Sequence, residues 1–427
     1  MNYINTENIR RNAGFFAEYC NLLTEYGYDT QSLKADVDAL QKNIDDAIEK
    51  AQQKINELSL CEDEPDDYEK IVAASKGGNS ITPVTDLRNK IKGSLIARLA
   101  GCVSGAPVEN WSIEHMKKKA AYEGLTYPPQ KYWQQADRAW AEHCYTRRDL
   151  FTESKMEICP SDDDITYTFM GLLIMEKYGK NFTTENVGEL WKNNLPFAYT
   201  AEEIALDNLR NNVKAEHCAE INNPYSNLIG ALIRADGFAY ACAGNPHLAA
   251  KLGYYDAYIS HRRNGIYGEM LFAAAIAAAF TTNDCIEAIR IGLNEIPQKS
   301  MLYKDIRWAL DNLNSIKTYE DARTLVDTRF KGQSNVHTNN NACLIVFALA
   351  LGDGDVTKAI TNAVAMGLDN DCTAATVGSI TGAVAGFDSI DEKWYKAFNG
   401  KVKTYIADYE FFEIEDAVDR FLKLNSQ

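Results

Sequence analysis

Positive charge is scarce in this chain, and where it occurs it is dispersed. The sequence has 44 Lys and Arg residues against 60 Asp and Glu, which gives a formal net charge of -16, and no run of Lys or Arg forms a basic stripe. Nucleic acids and anionic membrane surfaces are bound through clustered positive charge. We therefore expect neither as a partner, and the acidity by itself indicates no function.

Cysteine spacing typical of zinc sites is missing, and so are long apolar runs. The ten cysteines are scattered singly, without a CxxC pair or a zinc-type arrangement of Cys and His. We expect most of them to be small buried apolar residues in a reducing compartment. The longest apolar run, 270–280, is too short to span a bilayer, and residues 1–7 lack a charged-then-apolar leader. These absences predict a cytoplasmic protein that does not bind membranes.

Runs of alternating β-branched and polar residues are also missing, so a sheet is not expected. Apolar residues instead recur at helical spacing along almost the whole chain, which predicts an all-α fold. The segments with this pattern are 86–101, 165–178, 184–191, 228–243, 246–256, 268–280, 284–294, 301–314, 341–351, 355–366, 373–385 and 413–424.

The N-terminal part of the chain has its own helical pattern. From Leu33 to Leu58 the apolar positions predict an amphipathic helix of about seven turns. An acidic stretch, 62–67, and a spacer rich in Gly and Ser, 76–80, follow it. We place a domain boundary at residue 85, between an N-terminal helical extension with an acidic linker (1–85) and the main helical domain (86–427). The extension is either a helical hairpin packed on the main body or a helix for self-association or for binding a partner.

Two acidic clusters, about two hundred residues apart, most need an explanation. Residues 161–164 read Ser-Asp-Asp-Asp and residues 369–373 read Asp-Asn-Asp-Cys-Thr, each where a helix is predicted to begin. A single Asp there would be an ordinary N-cap. Adjacent, partly buried carboxylates cost several kcal/mol unless a cation neutralises them. Their hard oxygen ligands suit Mg²⁺, Mn²⁺ or Ca²⁺ rather than zinc, so the two clusters together predict a two-metal site.

A third element precedes these clusters in the chain. Gly101 and Gly105 are predicted to end a helix, Pro107 stiffens the following loop, and Glu109 is presented just past it, where it is free to move. On its own Glu109 would be an ordinary surface carboxylate. Glu109 becomes a candidate functional residue only in combination with the two acidic clusters.

Small residues also mark the helix after the second cluster. Gly378, Gly382 and Gly386 recur at four-residue steps, which strips one helix face of side chains. In a membrane this spacing would indicate dimerisation. In this chain it predicts a helix buried at the centre of a globular bundle, with another backbone in close approach.

In this order, the three elements resemble the ADP-ribosylglycohydrolase family, and the resemblance covers residues 86–427. The family's first segment reads Gly, Asp, two variable residues and Gly, with Glu four positions on; its second reads Thr/Ser-Asp-Asp; its third reads Gly-Asp-x-Asp-Thr/Ser before an Ala- and Gly-rich helix. The resemblance implies an orthogonal multi-helix bundle. It also implies a hydrolase that cleaves the glycosidic bond between ADP-ribose and an acceptor, either a protein side chain or a small molecule.

The resemblance further implies a binuclear site for two Mg²⁺ or Mn²⁺ ions. The residues that it assigns to metal are Ser161, Asp162 and Asp163 for one ion, and Asp369, Asp371 and Thr373 for the second, with Asp371 as the bridge. Its catalytic residues would be Asp162, which orients a water, and Glu109, which shuttles the proton. The expected substrate is an ADP-ribosylated protein or an ADP-ribose conjugate.

Two residues depart from the family pattern. Cys102 stands where Asp is usual after the first Gly, and Cys372 stands where a metal-binding Thr or Ser should follow Asp371, with Thr373 one step later. A neutral thiol is a poor ligand for Mg²⁺. The second ion is therefore expected to bind less tightly, to use Thr373 or water, or to favour Mn²⁺.

The middle of the chain resembles the family's substrate-facing segments. The residues implied there as substrate contacts are Asn223, Gly230, Arg234, His261 and Asn264. Other interpretations stay open: Arg234 and Asp236 would also form a buried ion pair, and a lone His is more often structural. The function has alternatives too, namely an N-glycosidase acting on a nucleoside or a small ADP-ribose conjugate, and a non-catalytic ADP-ribose-binding protein.

Overall fold

A computed structural model describes residues 16–17, 20–24, 29–56, 62–78, 81–135 and 148–427, with backbone alone at residues 52 and 54–56. The described α-helices are α1 (Gln31–Asn56), α2 (Tyr68–Ala74), α3 (Leu87–Gly105), α4 (Ile113–Tyr122), α5 (Asp163–Tyr178), α6 (Thr184–Asn194), α7 (Thr200–Arg210), α8 (Ala215–Cys218), α9 (Ala235–Ala241), α10 (Pro246–Ala257), α11 (Asn264–Ala279), α12 (Cys285–Leu293), α13 (Met301–Asp311), α14 (Tyr319–Arg329), α15 (Thr338–Gly352), α16 (Val356–Met366), α17 (Asn370–Ala385) and α18 (Ile414–Asn425). The all-α prediction is confirmed.

Short elements connect these helices. The 3₁₀ helices are Ala106–Val108, Arg148–Phe151, Gly179–Asn181, Ile229–Arg234, Leu313–Ser315, Phe387–Ser389, Glu392–Trp394 and Lys396–Phe398. Two antiparallel strands, β1 (Lys401–Lys403) and β2 (Phe411–Glu413), pair with Val402 opposite Phe412. The sequence did not predict this small sheet, because three residues are too few to show a period of two.

Helices α3 and α17 form the centre of the bundle, and glycines allow them to touch. A Cβ atom at Gly101 would lie under 3.0 Å from the carbonyl oxygen of Ala374, and one at Gly378 would come as close to the carbonyl oxygen of Ala97. Side chains do not fit between backbones at this separation. The close approach predicted from the Gly-rich helix is therefore confirmed, and α3 is the partner.

The same contact corrects the predicted end of α3. The helix runs through Gly101 and ends at Gly105, one turn further than expected. A Cβ atom at Gly105 would collide with the backbone of Asp371. Glycine is used here for the close approach of two helices and not for a left-handed C-cap, and sequence spacing does not separate these two uses.

Some helices occur where no apolar periodicity was evident. They include α4, α7 and α14, which lie in polar segments of the chain. Helix α14 buries only Tyr319, Ala322 and Val326, and its start is stabilised by a capping box between Thr318 and Asp321. A face this narrow gives a weak periodic signal. The predicted helix 228–243 is divided into a 3₁₀ turn and α9.

The N-terminal helix is present as α1, although Leu58 lies outside the described residues. Leu33 and Leu40 are each 42% exposed, so part of its apolar face is open, and self-association stays a prediction. The acidic stretch contacts the main body: Glu64 accepts hydrogen bonds from the backbone N–H of Met301 (2.7 Å) and from the Asn264 amide (3.1 Å). The division at residue 85 stays a prediction.

The cysteines behave as the sequence suggested. The eight described ones, at positions 20, 102, 159, 218, 242, 285, 343 and 372, are free and buried, while Cys61 and Cys144 lie outside the described residues. None of the described helices combines the length and apolar composition that crossing a bilayer requires. The cytoplasmic location stays a prediction.

Candidate active site and metal centre

A cavity of about 730 Å³ opens where the amino ends of α5 and α17 lie near each other. Its volume is in the range of small-molecule and cofactor pockets. The acidic residues in its lining are Glu109, Glu157, Asp162, Asp163, Glu202, Asp369 and Asp371. The positive end of a helix dipole favours carboxylates near the first turn, which partly explains how so many are tolerated.

The first half-site consists of Cys102, Asp162 and Asp164. Asp162 is the N-cap of α5, and its Oδ1 accepts the N–H of Asp164 at 3.2 Å. One ligand atom from each of the three residues lies within 4.8 Å of the other two, and all three residues are buried. Helix α3 supplies the thiol and α5 supplies the carboxylates, so the half-site depends on the packing of these helices.

The second half-site consists of Asp369, Asp371 and Cys372, whose ligand atoms also lie within 4.8 Å of one another. The chain enters it through Gly367 and Leu368, both with positive φ (70° and 63°). That conformation is unfavourable for Leu. It is stabilised in part because the Leu368 carbonyl accepts the backbone N–H of Asn110 at 3.0 Å, which links this loop to the one that carries Glu109.

A thiol connects the two half-sites. The Cys372 S–H donates to Oδ2 of Asp164 at 3.0 Å. Behind Asp164 lies the fully buried guanidinium of Arg98, which is 2.7 Å from Asp236 and 3.5 Å from Asp164. Arg98 therefore balances part of the negative charge on the protein side of the first half-site.

The other carboxylates of the site, those of Asp163, Asp369 and Asp371, have raised pKa values. Burial, followed by the Glu109 charge, raises the pKa of Asp369 to about 7 and holds the pKa of Asp371 well above its ordinary value. Burial and the neighbouring Asp162 and Asp164 also raise the pKa of Asp163. The site is short of positive charge at neutral pH.

A bound divalent cation would supply the positive charge that the site lacks. Oδ1 of Asp371 is buried and makes no hydrogen bond within the described part of the chain. Buried carboxylate oxygens without partners are rare because losing water costs them free energy. Oxygen ligands from two helix ends, gathered within a few ångströms, are what Mg²⁺ and Mn²⁺ bind.

Arg148, which the sequence did not single out, also reaches the site. Its guanidinium donates to Glu109 and to the Ala106 carbonyl, and one of its nitrogens is 3.9 Å from Oδ2 of Asp371. Burial lowers the pKa of Arg148, but the charges of Glu109, Asp371 and Asp162 outweigh it and raise that pKa overall. No motif surrounds Arg148, so its role follows only from the tertiary structure.

Replacing Arg148 with Gln is expected to tighten divalent-cation binding. The substitution removes a fixed positive charge 3.9 Å from Oδ2 of Asp371, and the loss of its repulsion on a cation held by Asp371 is worth at least about 1.4 kcal/mol, or about a tenfold lower Kd. Calorimetric titration with Mn²⁺ measures the change. Arg420→Gln, which breaks a surface pair with Glu176 (2.6 Å), is the matched control. Unchanged or weaker Mn²⁺ binding by Arg148→Gln would contradict the assignment.

Aromatic side chains form another part of the cavity wall. Phe197 stacks on Tyr405 with ring centroids 4.5 Å apart, and Tyr199 packs edge-on against Phe197 at 5.7 Å. Phe197 is 43% exposed. These residues come from distant loops, and no sequence pattern connects them. The exposed Phe197 ring of this stacked pair, beside an acidic centre, can hold a planar ring.

The sequence model of the ADP-ribosylglycohydrolase family matches residues 83–426. The chain belongs to the ADP-ribosylglycohydrolase family. A solved structure described as an ADP-ribosylglycohydrolase-related protein complex covers 80% of this chain and 98% of its own, with a TM-score of 0.53 and 16% sequence identity. At this identity the likeness shows the fold alone. A comparison with curated proteins finds no match.

Family membership confirms the resemblance that the three sequence elements indicated, and the helical bundle is confirmed with it. Because the family consists of glycohydrolases, membership supports a hydrolase in general. The family is metal-dependent and acts on ADP-ribosylated substrates.

The structure brings together most residues that the family pattern predicted. Glu109, Ser161, Asp162, Asp163, Gly230, Asp369 and Asp371 all line the cavity. Thr373 is buried in α17 and is not among the lining residues, although its Oγ1 makes no hydrogen bond in the described structure. Asp164, which the family pattern did not assign to metal, belongs to the first half-site. The individual roles stay predictions.

Arg234 is buried behind the cavity wall. It pairs with Glu202 at 2.6 Å and with Asp256 at 2.5 Å, whereas Asp236 pairs with Arg98. A buried ion pair was one alternative for Arg234, but the partner expected from the sequence is wrong, because side chains two residues apart on a helical segment do not face each other. Glu202 does line the cavity, and Gly230 leaves the space that its carboxylate fills.

The other implied substrate contacts also lie outside the cavity lining. The Asn223 amide donates to the Ser260 carbonyl at 2.7 Å. His261 is fully buried with its Nδ1 2.8 Å from the Ser260 hydroxyl, and burial lowers its pKa, so the imidazole is neutral. Asn264 bonds to Glu64 and to the Leu302 N–H. The described contacts of these residues are within the protein, and their substrate roles stay predictions.

Proposed function

We propose that this chain is a divalent-metal-dependent hydrolase that cleaves the glycosidic bond between ADP-ribose and an acceptor. The observation that carries the proposal is that carboxylates from both acidic clusters, together with Glu109, line one cavity that also has an aromatic wall. A cation site alone would suit many reactions. The added aromatic wall favours a substrate with a base as well as a sugar.

Two divalent cations, Mg²⁺ or Mn²⁺ in the family pattern, are proposed as cofactors. Ser161, Asp162 and Asp163 would hold one ion, and Asp369 and Asp371 the other. When bound, such ions fix vicinal ribose hydroxyls and lower the pKa of a bound water.

The chain's own side chains would position the reacting groups. Asp162 lies in the cavity lining at the start of α5, where its carboxylate would orient a water. Glu109, on the loop after α3, would transfer the proton to the leaving group as an oxocarbenium-like centre develops. Arg148 fixes the Glu109 carboxylate, and its contact orders a side chain that the sequence predicts to be mobile.

The rest of the cavity would recognise the nucleotide part of the substrate. Phe197 and Tyr405 offer a stacked face for the adenine. Lys155 and Lys403 are exposed lining residues on the same cavity, and their ammonium groups can pair with a diphosphate. These two ammonium groups, with Glu157 beside them in the lining, support an ADP-ribosyl group over an uncharged sugar.

A panel of substrates tests the proposal. Arginine-linked, serine-linked and ester-linked ADP-ribosyl peptides are incubated with the chain and Mg²⁺, Mn²⁺ or EDTA, and free ADP-ribose is measured, with unmodified nucleosides as a further arm. We expect release from at least one linkage with metal. Glu109→Gln should lower kcat by about a hundredfold or more, while Glu114→Gln, an exposed control paired with Lys118, should not.

Two other outcomes of the panel would indicate a different function. Cleavage of nucleosides without release of ADP-ribose would favour an N-glycosidase. Tight ADP-ribose binding without cleavage of any linkage would favour a binding protein. Either result contradicts the proposed hydrolase.

A further inference from the structure

We infer that Cys102 and Cys372 are metal ligands, and that the centre therefore prefers a thiophilic divalent cation, of the kind represented by Fe²⁺, Co²⁺ or Zn²⁺, to Mg²⁺. The inference rests on the proposed function only in treating the two half-sites as a cation centre. It concerns which ion they select and which atoms hold it.

Each half-site contains one thiol whose sulfur lies close enough to two carboxylate oxygens for the three atoms to hold one ion. The sulfur of Cys102 is grouped with Asp162 and Asp164, and that of Cys372 with Asp369 and Asp371, in both cases within 4.8 Å. Both thiols are buried, and Cys372 also lines the cavity. An ion held by the carboxylates of either half-site would lie next to a sulfur atom.

An independent observation points to the second half-site as a place where a ligand can bind. Asp371 is only 4% exposed, it lines the cavity, and its Oδ1 has no hydrogen-bond partner among the described residues. Arg148 approaches the other oxygen, Oδ2, at 3.9 Å. Oδ1 is thus left for a group that the protein itself does not supply.

The position of Cys372 distinguishes it from a cysteine that only fills space. Its S–H donates to Asp164 in the first half-site, while its sulfur also lies within 4.8 Å of ligand atoms of Asp369 and Asp371 in the second. A buried structural cysteine such as Cys343 instead contacts a backbone carbonyl, that of Asp305 at 3.5 Å. Cys372 is placed between two groups of carboxylates, where a bridging ligand would be.

The chemistry of sulfur then determines the preferred ion. Mg²⁺ takes oxygen ligands in strict octahedral geometry, whereas thiolates favour softer cations. On coordination the S–H bond breaks, a sulfur–metal bond forms, and the proton leaves to solvent. With a thiolate and two carboxylates, each half-site resembles a mixed sulfur–oxygen site more than an all-oxygen magnesium site.

Cobalt spectroscopy tests the inference without an activity assay. The full chain is stripped with EDTA and titrated with Co²⁺, and near-ultraviolet absorbance reports thiolate-to-cobalt charge transfer while calorimetry reports binding. We expect a charge-transfer band that a large molar excess of Mg²⁺ does not remove. Cys102→Ser and Cys372→Ser should each lose part of the band and the double variant all of it, whereas the buried control Cys343→Ser should keep it.

The wild-type spectrum alone can overturn the inference, so it does not depend on the variants folding. Co²⁺ binding without a charge-transfer band, or no Co²⁺ binding at all, would overturn it, as would a band that persists in the folded double variant or is displaced by Mg²⁺. The proposed function fails separately: a band without release of ADP-ribose contradicts the hydrolase, and release without a band contradicts only the thiolate ligands.

Discussion

Asp371→Asn is expected to abolish ADP-ribose release and yet to raise the melting temperature of the metal-free protein. Burial, Glu109 and Asp369 raise the pKa of Asp371 in the folded state. A carboxyl whose folded pKa lies above its unfolded value costs stability once the pH exceeds the unfolded value. At neutral pH the neutral amide removes this cost while it also removes a metal ligand.

Thermal melts with and without Mn²⁺ separate the two effects. The wild type should gain about 2.7 kcal/mol of stability when Mn²⁺ is present at a hundred times its Kd, and Asp371→Asn should gain little or nothing. Asp388→Asn is the control, because Asp388 is an exposed carboxylate after α17. A variant that is less stable than wild type without metal, or that responds fully to Mn²⁺, would show that Asp371 is not a strained ligand.

Gly101→Ala is expected to disrupt the molecule although it adds a single methyl group in the interior of a helix. The methyl would meet the backbone of Ala374, which cannot move without separating α3 from α17. These helices position Glu109 and Asp371 respectively. We expect a loss of at least about 3 kcal/mol, at the upper end for overpacked cores, together with a large loss of ADP-ribose release.

Gly253→Ala makes the same chemical change in α10 and is the matched control. There the nearest atom to the new methyl would be Cγ of Glu269 at 3.2 Å, a side-chain atom that can shift by a few tenths of an ångström. The gain in helix propensity, up to about 1 kcal/mol, offsets this contact. Denaturant unfolding of both variants gives the comparison. Equal stability of the two would mean that the α3–α17 contact tolerates more separation than the structure shows.

The sequence predicted the parts of the site that are close together along the chain. Residues 161–164 and 369–373 were recognisable because adjacent carboxylates at a helix start have no structural explanation of their own. The Gly-rich face of α17 was likewise visible as a spacing of four. Its partner, α3, was not recognised, although Gly93, Ala97, Gly101 and Gly105 follow the same spacing of four.

The residues that sequence reasoning missed come from separate segments. Arg148 acquires its role only because its short helix packs against the turn after α3, and Phe197 meets Tyr405 across more than two hundred residues of chain. Conversely, His261 and Arg234 belong to segments that resemble the family, but His261 hydrogen-bonds to Ser260 and Arg234 hydrogen-bonds to Glu202. Local patterns predict which residues are chemically unusual, while tertiary contacts determine which of them face the ligand.

Metal removal and restoration tests the central claim most directly. Free ADP-ribose is followed with the preferred linkage, first with metal-loaded wild type, then after EDTA and dialysis, and then after Mg²⁺, Mn²⁺ or Co²⁺ is returned to the same preparation. We predict that release stops with EDTA and resumes with at least one ion, and that Asp162→Ala remains inactive throughout. Release at an unchanged rate after metal removal would contradict the account.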